Sequence, residues 1–122
     1  MKAVTVVPGV PNSIRLRDVD KPSPRRGEAL LRPLQIGICG TDKEIIEGKY
    51  GKAPDGSQFL ILGHEALARV EAIGDGVDSV AEGEVVVPTV RRPVNCDLPV
   101  DYCPMGHYVG HGIWGLHGHA AE

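Results

Sequence analysis

A mainly β fold, built as a small and partly open barrel, is what this 122-residue sequence predicts. Three observations carry the prediction. Short stretches that are apolar, or that alternate apolar with charged residues, recur along the chain, as half-buried strands do. Sixteen glycines and ten prolines punctuate those stretches with turns. No glycine-rich G-x-G-x-x-G loop opens a helix after a strand, and there is no βαβ alternation.

In order, Lys2 to Val7 reads as a first strand, ended by Pro8-Gly9. Ile14-Arg15-Leu16-Arg17 alternates apolar and charged residues and reads as a half-buried strand. Glu28 to Ile38 is mostly apolar but contains Pro33, which demands an edge position or a bulge. Thr41 followed by Glu44 has the spacing of a capping box, so a short helix is expected from Asp42 to Glu47, stopping at Gly48. Leu67 to Ile73 and Glu84 to Val90 read as two further strands, joined through Gly74-Asp75-Gly76. Beyond Arg91 the pattern dissolves into proline, glycine and histidine.

Length and composition describe one domain with enough apolar residues, 42%, for a core. The formal charge of −3 is interspersed, without the basic stripe that tracks phosphates, so nucleic acid is excluded as a partner. No apolar run approaches the ~20 residues of a membrane helix. The N-terminus has no signal-peptide pattern. Three cysteines form no disulfide framework. A reducing cytoplasm is the expected location.

Two glycine-framed segments carry the chemistry: Gly37-Ile38-Cys39-Gly40-Thr41-Asp42 and Gly63-His64-Glu65. Each follows an apolar run, which puts Cys39 and His64 at the ends of strands. A thiolate, an imidazole and an adjacent carboxylate are the donors a catalytic zinc uses. Taken singly, each residue has a blander reading. A lone cysteine is more often a buried small hydrophobe, and most His-Glu dipeptides carry a solvated glutamate. The metal reading requires the Cys39 sulfur and a His64 ring nitrogen to converge. A separation beyond about 7 Å would exclude a shared ion.

These segments, with Glu44-Ile45, Leu62, Ala66, Arg91-Arg92-Pro93 and Gly115-Leu116-His117-Gly118, resemble the zinc-dependent medium-chain alcohol and polyol dehydrogenases. Within that superfamily they look closest to the archaeal-type glucose dehydrogenases. The resemblance covers residues 1–122 and implies a GroES-like catalytic domain, truncated before the Rossmann domain, in an excised piece or a truncated product. It implies Cys39 and His64 as zinc ligands, and Glu65 as an outer-shell catalytic group or an exchangeable ligand. It makes Thr41 the hydroxyl that binds substrate and starts a proton relay, although Thr41 also has its capping reading. Asp42 is read as a carboxylate that orients its neighbours. A third zinc ligand is expected from later in the parent chain. Zinc lowers the pKa of a substrate hydroxyl, and a hydride passes to NAD(P). The nucleotide belongs to the parent enzyme's missing C-terminal domain, so no residue of this chain is assigned to it. The implied substrate is a small alcohol or sugar.

Residues 95–111 correspond to the lobe where relatives carry four cysteines around a structural zinc. Only Cys96 and Cys103 remain, with Pro99 where another cysteine is expected. Cys96, Cys103, His107 and His111 could form a Cys₂His₂ set, but their spacing fits no common finger, so a lobe without tightly held metal, and the least ordered part of the chain, is expected. The glucose-dehydrogenase pattern also has a glutamate where this chain has Gly110, with His111 or His117 as alternatives for sugar contact. Three functions compete. The chain is the catalytic domain of an oxidoreductase that is inactive when isolated, a non-catalytic β-barrel that binds a metal or partner, or a purely structural module. Self-association is expected in each, through unpaired edges and uncovered apolar surface.

Overall fold

The computed structural model describes residues 1–90 and the backbone of 91–92 and 107–108. The described chain is mostly strand: β1 (Lys2–Val6), β2 (Arg15–Asp18), β3 (Ala29–Gly37), β4 (Leu60–Ile61), β5 (Glu65–Ile73), β6 (Val85–Val86), β7 (Arg91–Arg92) and β8 (His107–Tyr108). One helix, α1 (Gly40–Ile46), interrupts them. The strands form two open three-stranded sheets, ordered β2-β1-β4 and β3-β5-β6, and a separate antiparallel β7/β8 pair. No described helix is long and apolar enough to cross a membrane.

β1 is the centre of its sheet because its inward residues are small or apolar. Ala3, Thr5 and Val6 are buried. The one hydroxyl among them is satisfied: Thr5 donates to the Arg15 carbonyl and accepts from Arg17 Nε, each at 3.1 Å. β5 alternates in the same way, with Ala66, Ala68 and Val70 inward. β3 pairs with β5 along its length and is the edge of its sheet. The register shifts between Pro33 and Gln35. Pro33, which has no N–H to donate, thus has both the edge and the irregularity its chemistry demands.

The last expected strand is shorter than its apolar run suggested. Only Val85 and Val86 pair, opposite Arg69 and Ala68. Pro88 cannot extend the ladder, and Val87 is exposed.

The helix begins earlier than expected, and its cap is a different residue. Thr41 and Glu44 do not form the capping box. Cys39 is the N-cap, extended at φ −116° and ψ −177°. Its sulfur accepts the Thr41 N–H at 3.3 Å, and Asp42 Oδ2 accepts the Cys39 N–H at 2.9 Å. The box has shifted because the helical turn begins at Gly40, so the donors in need of acceptors lie two residues nearer the strand. The far end closes as expected at Gly48, whose φ of +74° suits glycine. Lys49 N–H reaches the Glu44 carbonyl and Gly48 N–H the Ile45 carbonyl, a Schellman closure.

α1 is anchored by Ile45, which is fully buried with Val6, Leu60 and Leu62. Val4, Ile46 and Tyr50 pack around that cluster. The core therefore joins the helix carrying Cys39 to the β4 segment that leads into His64.

Candidate metal centre

The β3/β5 register assembles the site. Its last pair sets Gly37 opposite Glu65. From Gly37 the chain runs two residues to Cys39, at the cap of α1. One residue before Glu65 is His64, between β4 and β5. The turn into His64 passes through Gly63 at φ +90°, a conformation costly for any side-chain-bearing residue. Residues 25 apart in sequence thus face each other, with Cys39 Sγ 3.1 Å from His64 Nε2. Two ligands sharing an ion at tetrahedral angles stand about 3.6 Å apart for ordinary Zn–S and Zn–N bonds. The pair is within a few tenths of an ångström of that.

Glu65 completes a cluster of three. One ligand atom each from Cys39, His64 and Glu65 lies within 4.8 Å of the others, and this is the grouping among the described residues that could hold a metal ion. Glu65 Oε1 is 3.8 Å from His64 Nε2. His64 is buried, Cys39 half-buried and Glu65 exposed. A soft thiolate, an imidazole and a carboxylate on the open side fit zinc, with a position left toward solvent. Cys39 is a free thiol.

Asp42 lies behind the imidazole. It is 3% exposed, which is unusual for a carboxylate and calls for a specific partner. Oδ2 is committed to the Cys39 N–H, while Oδ1 faces His64 Nδ1 at 3.5 Å. A proton on Nδ1 beside that carboxylate leaves the Nε2 lone pair directed at the Cys39 sulfur, as a metal-binding histidine requires. The expectation that Asp42 orients its neighbours thus has one hydrogen bond behind it, to the Cys39 N–H, and one close approach, to the His64 ring.

Thr41 lies in the first turn of α1 and is half-buried. Its N–H, not its hydroxyl, enters the cap. His64 and Glu65 line a cleft of about 700 Å³ together with Gln35, Gly37, Val87 and Thr89. A second, mainly apolar cavity of about 510 Å³ lies on the other side of Ile36 and Gly37, lined by Val4, Ile14, Leu16 and Ile46. Neither Gln35 nor the Val87–Thr89 segment was singled out in the sequence. Gln35 comes near through the β3/β5 pair and the Val87–Thr89 segment through β6 pairing beside β5, and no local pattern signals either. Cys96, Cys103 and His111 of the expected lobe lie outside the described residues, as do Gly110, His117 and the side chain of His107.

Comparison with known proteins bears directly on this arrangement. The family described as Alcohol dehydrogenase GroES-like domain matches residues 25–122. The chain belongs to that family. It is 80% identical over its whole length to glucose 1-dehydrogenase 1 of Caldivirga maquilingensis, and spans 35% of that protein. It is 71% identical to the glucose 1-dehydrogenase of Thermoproteus tenax, again over 35% of the relative. The chain therefore spans about a third of the length of these curated relatives. Among solved structures, Haloferax mediterranei glucose dehydrogenase in complex with NADP, Zn and gluconolactone superposes with a TM-score of 0.78 at 40% identity. That match covers all of this chain and 35% of the other. An alcohol dehydrogenase from Thermus sp. ATN1 gives a TM-score of 0.80 at 28% identity, over 97% of this chain and 35% of that one. The fold expected from the sequence, GroES-like and mainly β, is the fold found.

Proposed function

We propose that residues 1–122 are the zinc-holding catalytic domain of an NAD(P)-dependent dehydrogenase that oxidises an aldose, with glucose as the first candidate. The observation that carries the reading is the convergence of Cys39, His64 and Glu65 within 4.8 Å. The glucose dehydrogenases that are 71–80% identical to this chain support the substrate class. They outweigh the departure at Gly110, a single position in a chain 71–80% identical to them over its length.

In this reading Cys39 and His64 are permanent ligands, and Glu65, on the open side, is a ligand that exchanges with water or substrate. Zinc held there would supply Lewis acidity, lowering the pKa of a substrate hydroxyl. The chain's own groups do the positioning. Asp42 holds the His64 ring and the Cys39 backbone together. The Thr41 hydroxyl, released from helix capping, is available to accept the hydrogen bond of the substrate's hydroxyl and to pass its own proton onward as the substrate's arrives. The 700 Å³ cleft takes the sugar against His64 and Glu65. A nicotinamide ring, held by the nucleotide-binding domain elsewhere in the protein, would supply the hydride acceptor. Residues 95–111 form the variant structural-zinc lobe, without tightly held metal. Its elemental test is zinc retained in Cys39→Ala/His64→Ala protein and lost when Cys96 and Cys103 become Ser, which would refute that assignment. The free thiol of Cys39 suits a reducing cytoplasm.

Alone, the chain binds zinc weakly, binds no nicotinamide nucleotide and does not turn over sugar. Zinc calorimetry on the chain and on Cys39→Ser tests the centre. Binding in the first and its loss in the second is expected, and a wild-type chain without zinc affinity would refute the proposal. Glucose-dependent reduction of NAD(P) by this chain joined to its nucleotide-binding domain tests the activity. If another alcohol is oxidised and glucose is not, the substrate assignment is wrong.

A further inference from the structure

Gly37 is the last residue of β3 and stands across the β3/β5 pair from Glu65. Its φ lies outside the left-handed region, so other residues could adopt its backbone. What a larger residue lacks here is space. A methyl group at position 37 would stand 2.8 Å from Glu65 Cβ and 3.3 Å from Cδ, and would collide with Oε2. Facing Cβ atoms in an antiparallel pair are ordinarily about 4.5–5.5 Å apart. The Glu65 side chain is therefore folded across the bare backbone of Gly37, in the volume a side chain there would fill. One carboxylate oxygen rests on the glycine, and the other faces His64 Nε2 at 3.8 Å.

The seat matters because, among the described residues, Glu65 has little else to hold it. Its side chain is 55% exposed. A free surface glutamate samples many rotamers, and confining it costs entropy. The bare strand end offers one place where the side chain lies down with its carboxylate beside the imidazole and thiol.

We propose that Gly37 is a positioning residue of the metal centre: the absence of a side chain there keeps the Glu65 carboxylate within ligand range of Cys39 and His64. The inference rests on the metal-centre reading above and assigns Gly37 a role through Glu65 alone. A methyl group would press on the Glu65 Cβ as well as its carboxylate, so the facing residues would part locally, the carboxylate would leave its seat, and a two-ligand site would remain.

Cobalt(II) binding to the full chain tests it, read by calorimetry and by the visible absorption of the bound ion. Four proteins are compared: wild type, Gly37→Ala, Glu65→Gln and the double variant. Gly37→Ala should weaken cobalt by about tenfold or more, the scale on which groups around a metal act. It should shift the ligand-field bands as Glu65→Gln does and keep the thiolate charge-transfer band of Cys39. In the Glu65→Gln background it should change nothing further. Unchanged affinity and spectrum in Gly37→Ala overturn the proposal. So does an equal loss in both backgrounds, which would mean that the methyl splays β3 from β5 and parts Cys39 from His64. Wild type that binds no cobalt overturns the metal-centre reading itself, a different result. If Gly37→Ala does not fold, nuclear Overhauser contacts in the wild-type chain decide. Contacts from Gly37 Hα to the Glu65 Hβ and Hγ protons are expected, and their absence overturns the proposal.

Discussion

Cys39 has two jobs that use one sulfur atom. It is the N-cap of α1, accepting the Thr41 N–H, and it faces His64 Nε2 at 3.1 Å. Two substitutions separate the jobs. Cys39→Ala removes both, whereas Cys39→Ser keeps an oxygen that caps well. Urea unfolding of the metal-free chain should find Cys39→Ala less stable than Cys39→Ser by about 1 kcal/mol. Both should lose zinc, because a hydroxyl is a poor substitute for a thiolate. Equal stabilities would mean the cap contributes nothing. Asp42 works one step further out. Asp42→Asn keeps an acceptor for the Cys39 N–H but removes the charge beside His64 Nδ1. Zinc affinity should fall by about 10–100-fold, as when outer-shell partners of metal ligands are lost. A competition titration with a chromophoric chelator measures this, and an unchanged affinity would show the carboxylate to be purely structural.

At the scale of elements, the site depends on α1 being seated. Ile45 is fully buried and is the helix's deepest contact with β1 and β4. Ile45→Ala should cost about 2–5 kcal/mol, as truncating a buried isoleucine does. It should also loosen the Cys39 cap, since the helix would lose its purchase on the core. An unfolding free energy lowered by less than about 1 kcal/mol would place the anchor elsewhere. The sheets carry a second, electrostatic tie. Lys21, beyond β2, bonds Glu71 of β5, and Arg32 of β3 approaches the same carboxylate at 3.6 Å. The Lys21 ammonium, and then Arg32, hold the Glu71 carboxyl below its ordinary range. A carboxylate whose folded pKa is depressed stabilises the fold above its unfolded pKa. That contribution fades as pH falls through the folded value. Glu71→Gln should therefore lower the melting temperature slightly at neutral pH and not at all in strong acid. Salt should shrink the neutral-pH difference, since the pairs are at the surface.

At the scale of the molecule, the described sheets are open, and large apolar side chains remain uncovered. Ile14 and Leu16 are 45% and 63% exposed beside the apolar cavity, and Ile38 is 84% exposed next to the metal centre. β2 and β4 end one sheet, and β3 and β6 the other. Such edges and patches take up partners. Sedimentation of the chain should show association that grows with concentration, and a monomer throughout a wide range would count against it. Joined to the rest of a relative-sized protein, the same surfaces should become covered and the association should weaken.

The sequence by itself located most of the strands and turns and named the candidate site, but not β4 or the short extent of β6. Alternation in β1 and β5, Pro33 at an irregular edge, and Gly48 after the helix are local features, and local chemistry decides them. Cys39, His64 and Glu65 were legible because their glycine frames are unusual and their donor chemistry is specific. Only the tertiary structure decided which atoms meet. The cap passed from Thr41 to Cys39 because the turn begins at the strand end. The 3.1 Å between sulfur and imidazole depends on a β3/β5 register that sets Gly37 against Glu65. The β6 side of the cleft depends on which strand lies beside β5. Registers and strand neighbours are long-range choices, made by how a buried cluster such as Val6, Ile45, Leu60 and Leu62 packs. No short stretch of sequence contains that information.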